Sequence, residues 1–134
     1  MAERFKKWRL PAIKEGKLTK YNWLIQHANN LVLGNKTDIG AFTYINAKNG
    51  VVIEAGVQVG SHCSIYSVST IDGKNGKVWL KKDSCLGSHC VVMPGVTVGK
   101  NSIVGAFSFV NKDIPDNCVA FGVPAKVVKK LGKK

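Results

Sequence analysis

The sequence lacks any apolar run close to the roughly 18 residues that a membrane-spanning helix needs, and Met1–Leu10 has no signal-peptide apolar stretch. No membrane insertion is expected. There are four cysteines but no Cys-x-x-Cys pair and no zinc-ligand spacing, so the thiols read as reduced groups of a cytoplasmic protein. Only three histidines occur, His27, His62 and His89, with no close pair suited to a tetrahedral site, and no metal is expected. Acidic residues are scarce too: 8 Asp plus Glu stand against 20 Lys plus Arg, a net charge of +12. That balance points to an anionic partner without choosing among nucleic acid, a membrane surface and a phosphorylated small molecule. With 134 residues, 45% apolar and 21% charged, the composition is that of one globular domain.

The excess of positive charge sits at the two ends. Residues 1–20 hold Arg4, Lys6, Lys7, Arg9, Lys14, Lys17 and Lys20 against Glu3 and Glu15, and residues 126–134 hold five Lys and no acid. The 105 residues between carry eight basic and six acidic groups. A near-neutral middle excludes a nucleic-acid groove, which needs cations along the binding face.

What the middle has instead is a period of six. An aliphatic residue recurs at Leu33, Ile39 and Ile45, resumes after eight at Ile53, Val59, Ile65 and Ile71, and after nine continues through Leu80, Leu86, Val92, Val98, Val104 and Val110. Gly follows six of these thirteen positions, and a small residue stands four places on in most units. A six-residue period is neither helical nor simple alternation. It fits very short strands joined by turns, with Gly supplying positive φ, three units to a triangular coil, and each coil burying its aliphatic stack against its neighbours. Twelve units give about four coils over 33–115. The irregularities near 46–52 and 72–79 must bulge outward, and such displaced loops tend to carry sites. Residues 1–32 read as a capping segment, because Phe5, Trp8, Tyr21, Trp23 and Ile25 are too apolar for a free tail. Residues 116–134 read as a tail in which Pro124 opens a short helix.

The repeat, together with Val104–Lys126 reading VGAFSFVNKDIPDNCVAFGVPAK, resembles the hexapeptide-repeat acyltransferases. It is most similar to the galactoside, maltose and nucleotide-sugar acetyltransferases. The resemblance covers Leu33 to Leu131 and implies an all-β, left-handed parallel β-helix, assembled as a homotrimer, that moves an acetyl group from acetyl-CoA to a sugar. It places Gly87 and Ser88 at the pantetheine and thioester, Ala106 one coil on, and Asn111, Lys112, Lys126 and Lys129 at the phosphate end of CoA. Small residues suit this chemistry, since backbone N–H groups must approach a thioester closely. Lys126 stands where relatives often have Arg, giving a point charge in place of a fork, and Cys85 where many have Trp.

Attack by a sugar hydroxyl needs a general base near neutral pKa, and His is the usual one. In the resembling O-acetyltransferases that His precedes the protruding loop, where this chain has Thr70. Three candidates remain: His62, His89 and Asp72, the last with Tyr66 and Thr70 as polar neighbours. Counting units puts His62 and His89 on different faces of the coil, which meet only between subunits of a trimer. The plain alternative is that both His are surface groups and Asp72 caps its turn with Gly73. Loss of the His tilts the reading from O- toward N-acetylation, because an amine can bind already deprotonated. Asn46, at the first irregularity, is a candidate acceptor contact, as are Tyr66 and Thr70. The competing readings are a non-catalytic β-helix and a zinc-dependent, carbonic-anhydrase-like one.

Overall fold

The computed structural model describes residues 6–132. Fifteen strands wind into a solenoid with three sheets. The first sheet stacks β1 (Leu24–Gln26), β4 (Tyr44–Asn46), β7 (Ser64–Tyr66), β10 (Val91–Val92) and β13 (Phe109–Val110). The second stacks β2 (Leu31–Leu33), β5 (Val51–Ile53), β8 (Val78–Leu80) and β11 (Thr97–Val98), with Ile114 bridging Val98 as a last rung. The third stacks β3 (Asp38–Ile39), β6 (Gln58–Val59), β9 (Cys85–Leu86), β12 (Ile103–Val104) and β14 (Cys118–Gly122), all parallel. There are five turns rather than four. The rungs at Leu24–Gln26 and Cys118–Gly122 lie outside the strict six-residue period, so the sequence count misses them.

The core is the aliphatic column of the repeat. Ile45, Ile53, Ile65, Leu80, Val92, Val98, Val104 and Val110 are fully buried, and Ile25 and Trp23 continue the column toward the N-terminus. The small residue four places on also points inward: Thr43, Val57, Cys63, Ser84, Cys90, Val96, Ser102 and Ser108 are buried. Their polar atoms are satisfied by carbonyls, as burial requires. The Thr43 hydroxyl donates to Gly60 O at 3.0 Å, the Cys63 thiol to Gly87 O at 3.2 Å, and the Cys90 thiol to Gly105 O at 3.1 Å. Hydrogen bonding with Cys90 and burial push the Cys63 thiol up, so it stays a protonated donor.

The glycine that follows a strand serves a different need from the one expected. Gly60 and Gly87 do not have positive φ. A Cβ on Gly60 would lie 2.5 Å from Ser88 N, and one on Gly87 2.5 Å from Ala106 N, so the next coil leaves no room for a side chain. Positive φ falls two places later, on the residue just before the small inward one, as at His62 (φ 59), His89 (φ 60) and Phe107 (φ 63).

Two further expectations are corrected. Ile71 is 98% exposed and is no core rung; residues 68–75 leave the solenoid together, while Ser67 stays buried and donates from N to Asn46 O at 2.9 Å, so the loop starts earlier than 72. The C-terminal tail forms no helix. Cys118–Gly122 and β15 (Ala125–Lys130) pair as an antiparallel hairpin on the third sheet, with Pro124, preceded by a cis peptide bond, in the turn. Cys118 and Ala120 alternate inward with Val119 between, and Val127–Val128 are β-branched; both patterns fit a strand and not a helix. Nor does the chain exit the solenoid at Asp113–Pro115, since Ile114 is buried and Asp113 accepts from Thr97 N at 2.8 Å.

The segment before the first strand lies against the first coil. Thr19 N donates to Trp23 O at 2.8 Å, Gly16 N to Ile25 O at 2.8 Å, and the Trp8 indole N–H to Thr37 O at 2.7 Å. The Glu15 carboxylate accepts from His27 N at 2.7 Å and Ala28 N at 2.8 Å. Those two bonds, Ala28 first, hold its pKa below the ordinary 4.5. Phe5 lies outside the described residues.

Gly60→Ala, which forces a methyl into the backbone of the next coil, is expected to cost about 3 kcal/mol or more in denaturant unfolding. Gly132→Ala, with nothing within 4 Å of its Cβ, is expected to be neutral. A carboxyl with a depressed folded pKa stabilises above its unfolded pKa and loses that contribution as pH falls. Glu15→Gln is therefore expected to flatten the acid limb of the melting temperature below about pH 4.5, where the wild type declines.

Candidate active site

Outward-facing residues of the first sheet build a pocket of about 490 Å³. Because Ile25, Ile45 and Ile65 point inward, their neighbours Gln26, Asn46 and Tyr66 point out, and the register aligns those three in one row. Tyr44 and Met93 complete the floor, and residues 68–71 of the loop form the wall. The polar groups are tied together: the Tyr44 hydroxyl donates to Gln26 Oε1, Asn46 Nδ2 donates to the Tyr44 hydroxyl at 3.2 Å, and Asn46 Oδ1 accepts from Lys48 N at 3.1 Å. The Tyr44 and Tyr66 rings sit 5.9 Å apart. Asn46, Tyr66 and Thr70, expected from the sequence, all line this pocket; Gln26, Tyr44 and Met93 were missed. The signal for Tyr44 and Met93 was present, since each occupies the outward place beside an inward aliphatic residue of the repeat, whereas Gln26 precedes the repeat.

The loop wall is a small hairpin. Val68 bridges Asn75 antiparallel, Ser69 N donates to Lys74 O at 2.8 Å, and Gly76 N to Ser67 O at 3.0 Å. Asn49, in the first irregularity, donates through Nδ2 to Ser67 O at 2.9 Å and Asn75 Oδ1 at 3.0 Å, so the two irregular segments brace each other. Asp72 sits at the tip and does not line the pocket. Hydrogen bonding from Ser69, then from Lys74 N at 3.3 Å, holds its carboxyl below the usual range. That is the bonding of a turn cap.

His62 and His89 are not on different faces. Their rings stack at 4.8 Å with 6° between planes. The unit count failed because Ile71 belongs to the loop: without it, 27 residues separate the two His by a single coil. Phe42 lies against His62 at 5.4 Å and Phe107 against His89 at 4.8 Å, making a ladder of four rings at the turns from the third sheet to the first. Phe is rare at φ > 0, and stacking on the imidazoles offsets part of that cost. This ladder stands at the strand starts of the first sheet, the pocket at their ends, and neither His lines the pocket.

A second groove, of about 470 Å³, crosses the outer face of the third sheet. Cys85 and Ile103 line it, and Gly60, Gly87, Gly105 and Ala106 form its edge. Ser88 lies in the turn beside Gly87, its carbonyl accepting from Phe107 N at 3.0 Å. Lys126 and Lys129 are exposed on β15, which extends the sheet that carries this groove. Asn111 and Lys112 are exposed after β13, at the far end of the first sheet. One chain thus gathers Gly87, Ser88, Ala106, Lys126 and Lys129 around the third sheet and leaves Asn111 and Lys112 at another corner. Among the described residues, no three His, Cys, Asp or Glu side chains are grouped as metal ligands, and no helix is long and apolar enough to cross a membrane.

Comparison with known proteins agrees with this architecture. Residues 77–112 match the family described as bacterial transferase hexapeptide (six repeats). A galactoside O-acetyltransferase of Lactococcus lactis subsp. lactis (strain IL1403) is 36% identical over 113 residues, 73% of this chain and 55% of its own length. One from Escherichia coli (strain K12) is 34% identical over 116 residues, 75% of this chain and 57% of its own. The chain therefore spans a little over half the length of these relatives. A crystal structure of galactoside acetyltransferase in complex with coenzyme A superposes with a TM-score of 0.78 at 26% identity, over 90% of this chain and 64% of that one. Repeat, solenoid and alignment converge: residues 77–112 carry the bacterial transferase hexapeptide repeat, and about three quarters of the chain is similar in sequence to hexapeptide-repeat acetyltransferases.

Proposed function

We propose that the protein transfers an acetyl group from acetyl-CoA to a sugar or nucleotide sugar held in the first-sheet pocket, acting as a homotrimer of left-handed coils. The observation that carries this reading is the pocket's chemistry. Its polar groups are amides and hydroxyls, from Gln26, Tyr44, Asn46, Tyr66, Ser69 and Thr70. Such groups donate and accept at fixed positions, which suits a polyhydroxylated ring. The likeness to sugar acetyltransferases over about three quarters of the chain supports it.

Gly87, Ser88 and Ala106 offer backbone access for a pantetheine arm in the third-sheet groove, where side chains would block approach. Lys126 and Lys129, with Asn111 and Lys112 from a neighbouring subunit, meet the phosphates. A trimer is what brings the two separated corners together.

The acceptor is an amino sugar in this reading. The pocket holds no imidazole and no carboxylate: Thr70 lines it, and Asp72 is committed to its turn. An amine that binds deprotonated attacks the thioester carbonyl without a strong base. The C–S bond then breaks, CoA leaves as its thiolate, and the extra proton on nitrogen passes to water; a hydroxyl nucleophile needs a base. The second reading is O-acetylation, favoured by the named relatives, which are galactoside O-acetyltransferases. It requires the His62–His89 ladder of one subunit to reach the pocket of the next.

Steady-state assays with acetyl-CoA distinguish the two. Amino sugars are expected to be acetylated in preference to their hydroxyl analogues, and the double variant His62→Ala, His89→Ala to keep kcat within about threefold. A loss of about 100-fold or more in that variant, the usual contribution of a general base, would establish the O-acetylation reading instead.

A further inference from the structure

We propose that the N-terminal end of the solenoid carries a second ligand site, for the ring of an anionic sugar such as a uronate. A cavity of about 280 Å³ opens there, between Leu33 at the end of β2 and Asp38 at the start of β3, roofed by the N-terminal segment. It shares no lining residue with the first-sheet pocket and one, Asp38, with the third-sheet groove; the inference does not rest on the acetyl-transfer reading.

Three aromatic side chains shape it. Trp23, 2% exposed, is a fixed floor. Trp8 is half-buried, its indole N–H pinned to Thr37 O at 2.7 Å, so the ring is held as a wall. Tyr21 stands at the rim, 47% exposed, with Lys20 Nζ 5.6 Å from its ring centre. Lys7 is exposed and also lines the cavity, as does the half-buried Asp38, which already has a partner in the protein.

Each feature selects for the same ligand. Aromatic walls take the C–H face of a pyranose, and an ordered indole does so with little entropy left to lose. Lys7 and Lys20 supply positive charge for a carboxylate at the rim, while Asp38 accepts from ring hydroxyls. The volume is at the low end of ligand pockets and fits one ring rather than a dinucleotide. The site gives a purpose to Lys7 and Lys20, two of the seven basic residues among the first 20. A field of that sign concentrates acidic glycans near the opening.

The test is isothermal titration of the full chain with sodium glucuronate, with glucose and sodium phosphate as parallel titrants. Glucuronate is expected to bind saturably at one site per chain, and glucose and phosphate at least about tenfold more weakly, since each lacks one half of the recognition. Trp8→Ala is expected to weaken glucuronate about tenfold or more, as loss of an aromatic anchor does. Lys7→Glu, which leaves the packing of the segment intact, is expected to weaken it about fivefold or more through charge reversal, with melting temperature and CoA affinity unchanged. The proposal is overturned if glucuronate gives no saturable heat, if phosphate alone binds as well as glucuronate, or if Lys7→Glu binds it like the wild type.

Discussion

Everything in this molecule depends on the closeness with which one coil lies on the next. Parallel strands stack about 4.8 Å apart, and the turns must follow at the same spacing. At Gly60 and Gly87 the backbone of the following coil fills the place where a Cβ would be. The repeat is therefore a consequence of stacking: an aliphatic residue inward on each strand, a small one inward at each turn, and no side chain where coils touch. The inward turn residues then share one environment, so hydroxyls and thiols meet carbonyls of the next coil, and no buried side-chain polar atom among the described residues is left without a partner.

The same constraint decides where chemistry can be placed. A filled core cannot take extra residues, so the segment 68–75 leaves the coil as a hairpin and walls the first-sheet pocket. Asn49 locks that hairpin to the first irregularity. Stacking also copies a turn position from coil to coil, which is why four rings at φ near +60° form one ladder and two imidazoles face each other. Pocket, ladder and groove occupy different parts of one coil stack, and that separation is the physical argument for a site assembled from more than one chain.

The aliphatic period was legible in the sequence because a core stack repeats one residue class at fixed spacing. Asn46 was legible from its place at the first irregularity and Tyr66 and Thr70 as polar neighbours of Asp72, and all three line the first-sheet pocket. What failed were features that depend on which unit lies above which. Ile71 fits the period by composition, yet it is solvent-exposed, and counting it moved His89 to the wrong face. The C-terminal hairpin was hidden because Gly-Val-Pro-Ala-Lys reads locally as a helix start, while the alternation of Cys118, Val119 and Ala120 takes meaning only from the strand beneath. Gln26 was obscured because β1 precedes the regular repeat.

In the reaction we propose, acetyl-CoA lies in the third-sheet groove of one chain and its thioester reaches the first-sheet pocket of another. A crystal structure with bound CoA tests it most directly. The expected result is a trimer in which the CoA sulfur lies beside Gly87 and Ser88 and faces Asn46 and Thr70 of a neighbouring subunit. A monomer, or a CoA bound away from the Gly87–Ala106 edge, would contradict it.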